Sequence, residues 1–347
     1  RRRVVADRRV KSRLSISLRH AGVRRGSRWV LEDVDLDLHP GERWVLTGAN
    51  GAGKTHLLKL LSTDLWPTAT GREQRLFRLG ARRIEESRAK PMLAYLGAER
   101  QDKFSRHDWN FTVRDILIAG AQGTDIILKT PSRAELARVE RQLRLCKLMA
   151  LASRRFLTLS YGQKRLVLLA RCLIAQPHWL FLDELYNGLD AGFRRRVSGI
   201  LAAARRGGQS WVISAHRPQD IPAGTTKLLR LEQGRAVYSG PLRLAAAGFD
   251  PGESGARKPA SRAARVPAQR TPAKRPPAGA PLIRIREADL FVDSHPVLRG
   301  VNWELNRGEH WVISGGNGAG KSSFLRLLYG DLAPAVGGSI ERARMVR

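Results

Sequence analysis

Cysteine, methionine and acidic residues are scarce in this chain. Two cysteines in 347 residues, Cys146 and Cys172, are too few for a disulfide framework. Both sit in apolar, helix-patterned contexts and read as reduced core residues of a reducing compartment. No uninterrupted run of about 18 apolar residues occurs, so no membrane-spanning helix is encoded in this stretch. The strongest apolar run, Leu166 to Ala175, is cut by Arg171. Aspartate and glutamate number 31 against 62 lysines and arginines, a net charge of +31.

What is present sets the class. With 42% hydrophobic residues the chain is not disordered throughout. At about 150 residues per domain, its length predicts two domains, or one and part of another. Arginine supplies 50 of the 62 basic residues. Such a balance points to nucleic acid or an anionic membrane surface, or merely reflects the base composition of the genome, since the excess is spread along the chain. The opening RRRVVADRRVKSR is basic. A transit peptide is one reading, but Asp7 and the missing apolar stretch favour a disordered or mis-assigned start.

The chain contains an internal repeat. Residues 30–65 and 297–332 align without gaps at an offset of 267, with 19 of 36 positions identical and the matches on varied residue types. Between the copies, 250–281 is rich in proline, alanine and arginine and lacks apolar periodicity, as expected of a solvated basic linker. The second copy, 282–347, is expected to be only the opening portion of the module, whose first copy spans 14–245.

Each copy carries G-x-x-x-x-G-K-[ST]. The first comprises Gly48, Asn50, Gly51, Gly53, Lys54 and Thr55; the second comprises Gly315, Asn317, Gly318, Gly320, Lys321 and Ser322. The apolar stretches before them, Trp44–Leu46 and Trp311–Ile313, predict buried strands. Leu57, Leu58, Leu60 and Leu61 after the first predict a helix. A loop between strand and helix is the context in which glycines admit phosphate oxygens to backbone N–H groups and the positive end of a helix. Lys54 then reaches the β- and γ-phosphates, and the Thr55 and Ser322 hydroxyls suit Mg²⁺.

Further along, LSYGQKR (159–165) opens a helical pattern with Leu166, Leu169, Leu173 and Ile174. An apolar strand, Trp179 to Leu182, delivers Asp183 and Glu184 at its C-terminal end, and a second, Trp211 to Ile213, ends in Ser214-Ala215-His216. Ser132 and Glu135 form a capping pattern before Leu136, Val139, Leu143 and Leu148.

In this order of motifs the chain resembles the ATP-binding cassette (ABC) ATPase family. LSYGQ and the Gly-Glu-x-Trp lead-in to both loops are similar to the tandem-cassette, ModF-type molybdenum-transport or photorepair members. The resemblance implies an α/β P-loop NTPase cassette, a RecA-like mixed sheet core with a helical subdomain, followed by the start of a second cassette. It implies ATP and Mg²⁺ as ligands, Asp183 at the metal and Glu184 as general base for hydrolysis. His216 would sense the γ-phosphate. Ser160, Gly162 and Gln163 of the signature, with Asp190 after it, would face a nucleotide presented by another cassette, so a second cassette or a homodimer is an implied partner.

Three positions depart from the family pattern. The glutamine that should follow the strand Leu93–Leu96 arrives late, as Gln101, assigned to the attacking water and Mg²⁺. The adenine-stacking aromatic is replaced by Arg25 and Val292; Arg25 can stack through its planar guanidinium, or Trp29 or Phe291 can substitute. Leu185 stands where proline is usual.

Three functions remain open on these residues. The first is the ATPase of an importer, cytoplasmic and peripheral at the inner face of the membrane, docking on membrane-spanning subunits encoded elsewhere. The second is a soluble tandem protein acting on ribosomes or nucleic acid, favoured by charge and opposed by the short proline-rich linker. The third is a non-catalytic ATP-binding regulator.

Overall fold

A computed structural model describes residues 13–249, 281–292, 295–315, 319–335 and 337–342. The basic start and residues 250–280 of the linker lie outside them. The chain divides into two compact units, one ending at Gly255 and the other beginning at Ala256.

The first unit opens with β1 (Leu14–Arg25), β2 (Arg28–Leu38), β3 (Arg43–Thr47), α1 (Lys54–Leu61), β4 (Gln74–Leu79), β5 (Arg82–Ile84), α2 (Glu86–Ala89) and β6 (Leu93–Leu96). It continues with α3 (Ala98–Arg106), α4 (Val113–Ala121), α5 (Arg133–Leu145), α6 (Tyr161–Ile174), β7 (Trp179–Leu182), α7 (Ala191–Arg206), β8 (Ser210–Ser214), β9 (Lys227–Glu232) and β10 (Arg235–Pro241).

Two sheets result. The antiparallel one, ordered β2-β1-β4-β5, alternates in and out, with Leu14, Ile16 and Leu18 of β1 buried and the residues between them partly exposed. The other, ordered β10-β9-β3-β8-β7-β6, is parallel from β9 to β6, with β10 antiparallel at its edge. Strand β7 is apolar and buried at every position, and β3 and β8 are apolar at their three middle positions, because both faces of the sheet are covered. Within β7, Trp179 and Phe181 join the core shared with α1 and the antiparallel sheet, while Leu180 and Leu182 join the core under α4, α6 and α7.

Helices α4, α5 and α6 each begin with a reciprocal capping box, Thr112 with Asp115, Ser132 with Glu135 and Ser160 with Gln163. The helix expected after Ser132 is therefore present. It ends at Leu145, so Leu148 is buried beyond it, and Leu136 faces solvent. Cys146 and Cys172 are free thiols, both buried.

The second unit contains β11 (Ile283–Val292), β12 (His295–Leu305), α8 (Lys321–Tyr329) and β13 (Ser339–Arg342), in an antiparallel sheet ordered β12-β11-β13 over a small core of Ile285, Ala288 and Leu327. The strand expected at Trp311–Ile313 is not formed: Trp311 is 57% and Val312 90% exposed. The equivalent β3 is held between β8 and β9. Among the described residues of the second unit there is no parallel strand to complete such a ladder, and a strand without a partner cannot satisfy its backbone groups.

Candidate functional site

The loop from Gly48 to Gly53 joins β3 to α1. Gly48, Gly51 and Gly53 have φ of 141°, 82° and 99°, which only glycine adopts readily. Space matters as well. A Cβ on Gly48 would collide with the Leu231 carbonyl, and one on Gly53 would stand 2.6 Å from Leu31 Cδ2 and 2.7 Å from the Val30 carbonyl. Lys54 is buried at the first turn of α1, its Nζ donating to the carbonyls of Gly48 and Ala49 at 2.8 and 2.9 Å. Burial lowers its pKa; Glu184 and Asp183 oppose that by attracting the cation.

Asp183 leaves the end of β7 pointing at the same loop. Its Oδ2 accepts from the Thr55 hydroxyl at 2.6 Å and from the buried Tyr95 hydroxyl of β6 at 3.4 Å. Its Oδ1 accepts from Ser214 Oγ at 2.7 Å. Burial, and then the Asp183 charge, push the Tyr95 phenol upward, so it stays a neutral donor. Ser214 and Tyr95 were not singled out from sequence; each lies at or near a parallel strand end, the signal that could have found them.

Glu184 turns away from Asp183 through a left-handed backbone, φ 47°. Its carboxylate is held by His216 Nε2 at 3.0 Å and by Asn187 Nδ2 at 3.1 Å. Burial raises this carboxyl, but the hydrogen bonds from His216 and Asn187, and then the charges of His216 and Lys54, outweigh it and leave the group below its ordinary 4.5.

Two clefts flank the loop. One, of about 760 Å³, is lined by Arg28, Trp29, Lys54, Thr55, His56 and Glu184. The other, of about 1410 Å³, runs over Gly48–Ala52 past Glu184, Ser214 and His216. Trp29 is therefore the aromatic facing the lysine end of the loop, and Arg25 lines neither cleft. Phe291 is half exposed on β11 of the second unit, and the side chain of Val292 lies outside the described residues.

Lys54, Thr55, Asp183, Glu184 and His216 are thus brought together with Gly48, Asn50, Gly51 and Gly53. Ser160, Gly162, Gln163 and Asp190 are not: they line neither cleft. Ser160 caps α6. Gly162 packs against Phe193, where a Cβ would meet the ring at 2.6 Å, and Asp190 caps α7 by accepting from the Phe193 N–H at 2.9 Å. Gln101 lies in α3, with its side chain outside the described residues. In the second unit Gly315, Gly320, Lys321 and Ser322 are described, with Lys321 Nζ donating to the Gly315 carbonyl at 2.8 Å; Asn317 and Gly318 lie outside the described residues.

A glycine cradle between a parallel strand and a helix, with an acidic pair at the end of the next parallel strand but one, defines an α/β P-loop NTPase. The particular family follows from comparison: the ABC transporter model matches residues 31–187 and 298–345, and the chain belongs to that family. It is 28% identical to the ABC transporter ATP-binding protein ModF of Escherichia coli (strain K12) over 306 residues, 85% of this chain and 58% of ModF. It is 32% identical to the hemin import ATP-binding protein HmuV of Rhodococcus jostii (strain RHA1) over 233 residues, 65% of this chain and 75% of HmuV. The chain thus spans less than two thirds of ModF. The solved nucleotide-free ATP-binding cassette of an ABC transporter shares its fold, with a TM-score of 0.55 at 16% identity over 69% of this chain and 97% of that one. Among the described residues, no helix is long and apolar enough to cross a membrane.

Proposed function

We propose that the first unit binds MgATP and hydrolyses it, as the ATP-binding part of an importer-type ABC transporter. The hydrogen-bonded pair of Thr55 and Asp183 at the foot of the glycine loop carries this reading. Among the described residues no three His, Cys, Asp or Glu side chains gather into a metal cage. A hydroxyl and a carboxylate fit instead a small hard cation that takes its other ligands from phosphate and water. Mg²⁺ held there would neutralise charge on the β- and γ-phosphates.

The chain's own groups account for the rest. The loop amides and Lys54 bind and orient the triphosphate. Trp29 offers its ring to the base in place of the aromatic missing at Arg25. The Glu184 carboxylate takes a proton from a water as that water's oxygen bonds to the γ-phosphorus and the bond to the bridging oxygen breaks. His216 orients this carboxylate through its 3.0 Å contact. Gln101 would join the water and the metal.

The signature residues Ser160, Gly162 and Gln163, which line neither cleft of their own unit, and Asp190 would face a nucleotide held by a partner cassette. The second copy's Gly315, Asn317, Gly318, Gly320, Lys321 and Ser322 repeat the phosphate-loop sequence and would take a second nucleotide. The name of the hemin import protein HmuV supports import as the work coupled to hydrolysis, with membrane-spanning subunits as further partners and the inner membrane face as the place of action. Molybdate as cargo rests on the ModF likeness alone. In direct test, a fluorescent ATP analogue should bind the 347-residue chain in a Mg²⁺-dependent way, and Lys54→Ala should abolish that binding. No magnesium-dependent affinity, or affinity unchanged by Lys54→Ala, would overturn the reading. The charge of +31 supports the second reading, nucleic acid; co-purification of rRNA rather than membrane subunits would favour it.

A further inference from the structure

Arg165, on the helix that begins with the signature, is 1% exposed. Its Nη2 donates to the backbone carbonyl of Glu184 at 3.1 Å, while Nε and Nη1 are buried with no hydrogen-bond partner. The Tyr161 ring lies 5.8 Å from its guanidinium carbon. Tyr161, 40% exposed, also packs on Gly188, where a Cβ would stand 3.1 Å from the ring.

A buried guanidinium with two unsatisfied donors is a poor stabiliser, and an apolar side chain of similar volume would serve packing better. The position of its one hydrogen bond is informative. Glu184 has a left-handed backbone, its N–H donates to Ser214 Oγ at 2.8 Å, and its carbonyl accepts from the Asn187 N–H at 3.1 Å as well as from Arg165. Of these contacts, the one from Arg165 comes from another layer of the fold. A non-glycine residue in this conformation costs about 1–3 kcal/mol and persists only where its surroundings hold it.

We propose that Arg165 is a positioning residue: it locks the peptide following Glu184 so that the carboxylate stays against His216, and Tyr161 couples that lock to whatever covers the exposed start of α6. The inference rests on Glu184 as the base for hydrolysis. It adds a route within one cassette from the signature to the reacting water. Through it, a displaced Tyr161 releases Arg165 and lets the carboxylate drift.

The test is single-turnover ATP hydrolysis by the full chain in excess over nucleotide, alongside equilibrium nucleotide affinity and thermal unfolding. Arg165→Met should slow cleavage about 10- to 100-fold, the scale of a misplaced catalytic group, with affinity nearly unchanged. Tyr161→Phe should behave as the parent and Tyr161→Ala should be slowed. If Arg165→Met does not fold, Arg165→Lys takes its place, with a smaller loss of rate at full affinity. Loss of affinity, unfolding temperature and rate together would mark a merely structural arginine and overturn the proposal, as would an undiminished rate. A parent chain that cleaves no faster than Glu184→Gln would overturn the reading of Glu184 itself, and the positioning role with it.

Discussion

The Thr55 hydroxyl donates to Asp183 Oδ2 at 2.6 Å, across 128 residues of sequence. One residue comes from the start of α1 and the other from the end of β7, two strands from β3 in the sheet. The pair presents two oxygens to the phosphate loop. Thr55→Val and Asp183→Asn should each weaken Mg²⁺-dependent nucleotide binding much more than binding measured in EDTA. Titration of the fluorescent analogue with and without Mg²⁺ checks this; equal losses in both media would place the metal elsewhere.

Glu184→Gln should reduce hydrolysis by about two orders of magnitude or more, the scale of general-base removal, while nucleotide affinity is kept. The carboxyl lies below its ordinary 4.5 in the folded chain. A depressed folded value means that its stabilising contacts are complete above the unfolded value and are lost as pH falls through the folded one. Its ionisation should therefore not limit the rate above pH 4.5. An acid limb of the single-turnover profile with a midpoint near neutrality, persisting in His216→Gln, would contradict this.

Glycine substitutions separate strain from collision. Gly51→Ala meets nothing within 4 Å and incurs only the positive φ of 82°. Gly53→Ala adds contacts of 2.6 and 2.7 Å with Leu31 and Val30. A strained backbone costs about 1–3 kcal/mol, so Gly51→Ala should fall within that range and Gly53→Ala above it. Denaturant unfolding of the two variants gives the comparison.

The thiols should be inert in the native state. Burial pushes Cys146 up to about 12, and Cys172 is raised by burial as well. A thiol-reactive chromophore should label neither until the first unit unfolds; stoichiometric labelling of the native chain would refute this.

Removing a cap should have a local cost. Ser132→Ala deletes the acceptor for the Glu135 N–H at the start of α5 and should cost about 1 kcal/mol of stability. A thermal scan showing no change would mean that the helix start is held by its tertiary contacts alone.

Most of the site was legible because its parts are contiguous. A glycine loop, an acidic pair after an apolar tetrad and a capped signature helix each declare themselves within a dozen residues. Helix starts were readable for the same reason: capping is a bond between residues three apart. The failures are non-local. Trp311–Ile313 repeats the pattern of Trp44–Leu46, yet it forms no strand without flanking ladders. Leu136 matches an apolar helical period but faces solvent. The hydroxyls of Tyr95 and Ser214 and the guanidinium of Arg165 carried no motif, because their partners are set by strand order.

The sequence alone determined the repeated G-x-x-x-x-G-K-[ST] motif, the identity of the acidic pair and the basic, proline-rich composition of the stretch between the two copies. Those are properties of local conformation and composition. Only the tertiary structure decided that Thr55 meets Asp183, that His216 and Asn187 hold Glu184, that Trp29 rather than Arg25 lines the cleft, and that Ser160, Gly162 and Gln163 line neither cleft. Such contacts depend on which strands hydrogen-bond side by side and which face each helix covers. The chain settles these by burying its apolar surface as a whole, which no single segment encodes.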